Sequence, residues 1–161
     1  MSDAFRNGGL PFECTRCSDC CRHEPGLVLL SRSDIRRLLG ALGLDFRGFY
    51  AKYCRVVSLG GGTGLSLRET ERFDCIFWKN GCSVYDARPV QCRTYPFWPG
   101  VADSREDWIR ESRRCPGIGR GPVRSRSEIE EALWEYRRNA PLLLGPGEAP
   151  ESLDEDTILG G

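Results

Sequence analysis

Cys14-Thr15-Arg16-Cys17-Ser18-Asp19-Cys20-Cys21 packs four cysteines into eight residues. A two-residue gap lets the backbone fold into a knuckle that aims two sulfurs at one ion, which is why C-x2-C recurs in zinc and iron–sulfur sites. Downstream, Cys75, Cys82, Cys92 and Cys115 bring the candidate ligands to eight. Thiolate-only shells select zinc, cuprous copper or iron–sulfur clusters over magnesium or calcium. Neighbouring side chains point to opposite faces of an extended chain and diverge by about 100° on a helix. Cys20 and Cys21 therefore reach a single tetrahedron only with difficulty. Two four-thiolate sites that split the pair, or one cubane cluster with the other cysteines structural, both remain open.

Eight thiolates around two divalent ions leave about −4 of charge in one place, which is costly unless offset. Arginines lie close by in sequence: Arg16, Arg22, Arg88, Arg93, Arg113 and Arg114 are each within four residues of a cysteine. Of these, Arg22, Arg88 and Arg93 are the candidates to donate hydrogen bonds to sulfur, a role that tunes the charge and potential of a cluster. His23, the only histidine, and Cys54, the ninth cysteine, stand outside the pattern. His23 is expected beside the site or on the surface, and Cys54 buried as a small hydrophobe.

The rest of the 161 residues explains why cross-links are needed. Leu, Ile, Val and Phe make up 37 residues, a thin supply of core formers, while Gly and Pro make up 29. Such a chain is expected to use metal to supplement its core. The 23 bases and 23 acids cancel, so no global charge points to nucleic acid. All five acids of residues 141–161 are unmatched by a base there, which leaves residues 1–140 at +5. Residues 1–10 contain no apolar signal core, and no apolar run is long enough to cross a membrane. The expectation is a cytoplasmic protein with reduced or metal-bound cysteines and no membrane partner.

Local patterns predict a small α+β domain of short antiparallel hairpins and three or four helices, organised around the cysteines over residues 11–140. Residues 1–10 read as a disordered arm and 141–161 as a disordered acidic tail. Leu27–Leu30 is strand-sized. Ser31 with Asp34 starts a helix carrying Ile35, Leu38, Leu39 and Leu42, ended by Gly40 and Gly43. Asp45 caps a second helix through Tyr53. Val56–Leu59 with Leu65–Arg68, and Phe73–Trp78 with Cys82–Tyr85 across Asn80-Gly81, read as hairpins. Arg88-Pro89 opens a helical turn carrying Cys92. Residues 103–114 form a helix, and Ser127 with Glu130 opens another that runs to Asn139. Gly60-Gly61-Gly62-Thr63-Gly64 lacks the Gly-Lys-Ser/Thr of a phosphate loop and reads as a hairpin loop. Trp78, Tyr85, Tyr95, Phe97 and Trp98 read as core around the metal and not as a base-stacking platform.

The chain resembles the YkgJ-type cysteine-cluster proteins, the zinc- or iron-chelating domain named for its CxxCxxCC motif. The likeness runs from Phe12 to about Gly121. It rests on the first cysteine block, on Leu29-x-Ser31-x-x-Asp34-Ile-Arg-Arg-Leu, on Cys82-Ser-Val-Tyr-Asp-Ala-Arg-Pro-Val-Gln-Cys92-Arg-Thr-Tyr-Pro-Phe, and on Cys115-Pro-Gly-Ile-Gly. The resemblance implies a zinc or iron–sulfur site built from the eight matching cysteines. Flagellin lysine methylases share the cysteine signature, which implies that some members do chemistry with their cluster. Ser18 stands where the family usually has glycine. Three functional classes follow, in order: a metal-cluster protein, a cluster-dependent enzyme of redox or group transfer, and a zinc-stapled interaction module. No Ser/His/Asp set, H-E-x-x-H or dinucleotide fingerprint is present, so catalysis would have to use the cluster itself.

Overall fold

A computed structural model describes residues 2–160. Its elements are α1 (Ser2–Arg6), β1 (Leu10–Phe12), α2 (Arg32–Leu42), α3 (Phe46–Tyr53), β2 (Cys54–Leu59), β3 (Gly62–Leu67), α4 (Val90–Thr94), α5 (Arg105–Ser112), β4 (Ile118–Arg124), α6 (Arg126–Arg138), β5 (Leu143–Leu144) and α7 (Glu155–Leu159). The fold is α+β. Four of the helices, α2, α3, α5 and α6, are eight residues or longer. The remaining three are single turns of five residues.

Two hydrophobic clusters carry the chain. The first packs α2 and α3 against β2 and β3, with Leu30, Ile35, Leu38, Phe46, Phe49 and Leu65 at its centre. Capping explains where its helices begin. Ser31 accepts from the Asp34 amide while Asp34 accepts from the Ser31 amide, and Asp45 accepts from the Gly48 amide. Each such cap stabilises its helix by about 1 kcal/mol. The chain runs through Gly40 without a break and stops at Gly43, which takes the left-handed conformation that ends a helix (φ 63°). The second cluster gathers Leu10, Phe12, Trp108, Ile118, Ile129 and Leu133 from β1, β4, α5 and α6, with Phe97 from the loop after α4.

Each cluster has its own sheet. β2, β3 and β5 form an antiparallel sheet in that order, and β1 pairs antiparallel with β4. The glycine-rich stretch turns tightly at Gly60-Gly61 between β2 and β3. Leu27–Leu30 makes no full strand, but it runs beside β3 through Leu30 N–H to Leu65 O and Leu67 N–H to Val28 O. The helix expected from Ser127 begins two residues earlier, on a capping box of Ser125 and Glu128. Both Ser-x-x-Glu frames occur in the sequence, and tertiary packing of Ile129 and Leu133 selects the earlier one.

The expected disorder at the ends is corrected. Ser2–Arg6 is helical and Arg6 is buried, and the segment after residue 140 folds back onto the first cluster. Leu144 pairs with Thr63, and Leu142, Leu144 and Ile158 are buried. Composition hid this because the acids of the tail point outward while its few apolar residues supply core that α2 and α3 lack. Ile158→Ala is therefore expected to lower stability by about 2–5 kcal/mol, measured by urea unfolding. A disordered tail would show no change.

Candidate metal centre

Local geometry brings the cysteines together from four segments. The first block follows β1 directly, and β1 is held by β4: Glu13 N–H donates to Gly117 O at 3.2 Å. A Cβ at Gly117 would collide with the Glu13 carbonyl, so only glycine lets the two backbones meet there. That contact seats Cys14 beside the Cys115-Pro116-Gly117 turn. The block then winds through two left-handed residues, Arg16 (φ 56°) and Ser18 (φ 70°). It ends in a 3-10 turn, Asp19–Cys21. Ser18 holds the left-handed conformation that glycine adopts without cost, at roughly 1–2 kcal/mol for a residue with a Cβ.

Cys75 is tied to the block by its own amide, which donates to Cys21 O at 2.8 Å. The expected hairpin of Phe73–Trp78 with Cys82–Tyr85 is not a strand pair. It closes through isolated bridges, Glu69 with Cys75 and Trp78 with Cys82, around a turn with Asn80 at φ 56°. Backbone donors that a ladder would use are spent on turns instead, Phe73 on Thr70 O and Trp78 on Cys75 O. Cys92 rides on α4, whose start follows Pro89. Cys115 follows α5, its amide donating to Glu111 O at 2.9 Å.

Cys14, Cys20, Cys21, Cys75, Cys82 and Cys92 line one cavity of about 630 Å³. Cys17 and Cys115 lie outside its wall and act on one another. Cys54 is fully buried in the first cluster, and burial pushes its thiol up to about 12. His23 is exposed and outside the wall. All nine cysteines are free. Among the described residues, no three Cys, His, Asp or Glu side chains already stand in the arrangement of a closed metal shell.

Within the cavity, four sulfurs stand out. Cys92 is pushed up by burial and then by Cys75, Cys20 and Cys82. Burial pushes Cys75 up to about 11, with Cys82 and Cys20 adding to it. Cys82 is raised by burial and by Cys20. Every pair among Cys20, Cys75, Cys82 and Cys92 thus lies within mutual electrostatic reach. Cys21 hydrogen-bonds to Cys20, and its sulfur also sits 3.2 Å from Ser18 O. That bond, with help from Arg88, holds Cys20 down at about 7. Half-buried, crowded thiols resist ionising together, and a bound cation is what removes that resistance. The donor set therefore fits a thiophilic metal.

The arginines divide. Arg88 stacks over Tyr85 at 3.7 Å, donates to Tyr85 O at 2.7 Å, and favours the thiolates of Cys20, Cys82 and Cys92. Arg22 lines the cavity over Trp78 at 3.6 Å, anchored to Asp74 at 3.0 Å. Arg93 is placed elsewhere: it points to α6, ion-pairs with Glu135 and does not line the wall. A five-residue helix has two faces, and Cys92 takes the inner one. Arg16, unassigned by sequence reasoning, covers Tyr85 at 4.2 Å. Tyr95 was legible only as an aromatic, yet its hydroxyl donates to Glu111 at 2.7 Å beside Cys115. Trp78, Tyr85, Tyr95 and Trp98 line the cavity, and Phe97 is buried in the second cluster.

A family model named CxxCxxCC and described as "Putative zinc- or iron-chelating domain" matches residues 13–116. No solved structure matches the chain.

Two outcomes are expected in metal-free, reduced protein. Alkylation of Cys20 should rise with pH to half its plateau near pH 7, because its lowered thiol ionises there, while Cys54 resists throughout. Peptide mass spectrometry after timed iodoacetamide treatment checks this. Gly117→Ala should destabilise the protein by about 1–3 kcal/mol, since the Glu13 backbone must move. Thermal unfolding of that variant reads the loss.

Proposed function

Because the chain belongs to the CxxCxxCC family of zinc- or iron-chelating domains, we propose that its cavity holds a thiolate-ligated metal centre. Cys20, Cys75, Cys82 and Cys92 form the heart of the centre, Cys14 and Cys21 line the same wall, and Cys17 with Cys115, outside that wall, forms a separate pair of thiols. The observation that carries this reading is the mutual reach of the four sulfurs in a half-buried wall. When bound, the metal supplies positive charge that lets these thiols ionise and links segments far apart in sequence. The chain's own residues do the rest: Arg88 offsets thiolate charge, Arg22 is held flat on Trp78 at the wall, and Tyr85 with Tyr95 shields the sulfurs.

The cavity leaves room beside the sulfurs for more than a single ion. A structural zinc site closes tetrahedrally around its ion, whereas about 630 Å³ of largely apolar wall is the size of a small-molecule pocket. The same room favours a second reading, a cluster-dependent enzyme with substrate beside the metal.

Anaerobic purification with iron, zinc and sulfide analysis tests the centre. Wild type and Cys54→Ala should retain the same metal content. Cys82→Ser and Cys92→Ser should lose most of it, together with any visible charge-transfer absorption. Equal metal in all four proteins would sink the assignment. Chelation should also lower the melting temperature, since structural zinc in small peptides is worth on the order of 10–16 kcal/mol.

A further inference from the structure

Asp34 is the most deeply buried charged side chain among the described residues, with no exposed surface. Its role as a helix cap occupies one oxygen. Oδ2 accepts from the Ser31 amide at 3.1 Å and the Ser31 hydroxyl at 2.9 Å, and also from Asn139 Nδ2 at 2.8 Å. The other oxygen does something a cap does not require. Oδ1 accepts from the amide of Val90 at 2.8 Å, in a different segment of the chain. One turn along α2, Arg37 Nη1 donates to the carbonyl of Arg88 at 3.2 Å and lies 3.7 Å from Asp34 Oδ1. The face of α2 thus grips the backbone on both sides of Pro89, by one accepted and one donated hydrogen bond.

What lies on that gripped segment makes the contact matter. Arg88 is the guanidinium that favours the thiolates of Cys20, Cys82 and Cys92, and Cys92 is two residues beyond Val90. The Cys92 amide donates to Pro89 O at 2.9 Å, so Cys92 follows wherever Pro89 is held. Gln91 fixes the remaining freedom by bonding both ways to residues 27–29: its Oε1 accepts from Leu29 N–H at 3.2 Å and its Nε2 donates to Leu27 O at 2.7 Å. Neither Asp34 nor Arg37 lines the cavity.

We infer that Asp34 and Arg37 are the positioning residues of the metal centre: from α2 they fix a ligand, Cys92, and its counter-charge, Arg88, in one act. The inference rests on the metal reading above and adds to it the part of the fold that sets the centre's geometry. An aspartate is required. Asparagine at this position must turn an N–H2 toward at least one N–H donor, because Oδ1 and Oδ2 both accept from donors.

Asp34→Asn in the full chain is the test, with Ser125→Ala as its control. Ser125 caps α6 as Ser31 caps α2, and its hydroxyl has no contact to the Arg88–Cys92 segment, so its loss controls for the loss of a helix cap. In the anaerobically loaded protein, Asp34→Asn should hold metal 10–100-fold more weakly in competition with a chelator, and its absorption or cobalt-substituted spectrum should shift. Ser125→Ala should match wild type in both. Unchanged affinity and spectrum in a folded Asp34→Asn would overturn the inference. Should Asp34→Asn fail to fold, Arg37→Gln, on a partly exposed side chain, takes its place: several-fold weaker metal binding supports the clamp and wild-type binding overturns it. A wild type that takes up no metal would overturn the metal reading instead. Hydrogen exchange at Val90 and Cys92 then decides the clamp alone, with faster exchange in the variant supporting it and equal exchange overturning it.

Discussion

Thiols crowded onto one half-buried wall cannot all ionise unless positive charge is placed among them. Everything else about this fold follows from that constraint. Burial raises Cys75, Cys82 and Cys92, and each sulfur adds to the resistance of its neighbours. Cys20 is lowered instead, through the hydrogen bond from Cys21 and the field of Arg88. Arginine is suited to supplying the fixed part of the compensation, because its guanidinium stays charged and stacks on aromatic faces. Arg88 and Arg16 on Tyr85, and Arg22 on Trp78, show both properties together.

The two hydrophobic clusters serve that wall. Cys75 and Cys82 pack against the first, Cys115 belongs to the second, and α4 carries Cys92 between them. A thin core is thereby divided into two small ones that share the cysteine region as their junction. Asp34 reaches from the first cluster to α4 and receives Asn139 from the end of α6, so a single buried carboxylate spans the same junction. The glycine of Cys115-Pro116-Gly117 plays the corresponding part on the other side, admitting the Glu13 backbone next to Cys14.

Much of this was legible in the sequence where local rules act. The Ser31 and Asp45 caps, the β2–β3 hairpin, the α4 turn and the burial of Cys54 all follow from short-range patterns. Partnerships set by tertiary contact were not. The β1–β4 pair is more than a hundred residues apart in the chain, and β4 carries Pro122 with Gly119 and Gly121, which mask its strand character. The tail looked disordered because its glycines, prolines and unmatched acids dilute its apolar residues, although Ile158 is fully buried. Arg93 sits one residue from Cys92 yet faces Glu135, since adjacency on a helix does not mean a shared face. The second oxygen of Asp34 was invisible for a simpler reason: a capping-box pattern accounts for the residue, and nothing in it announces a distant amide.

Thiolate-only ligation is the claim on which the functional reading turns, and X-ray absorption at the metal edge tests it most directly. Protein purified anaerobically, with its metal in place, should show a first shell of sulfur at about 2.3 Å and no light-atom shell. A shell of nitrogen or oxygen at about 2.0–2.2 Å would contradict the account.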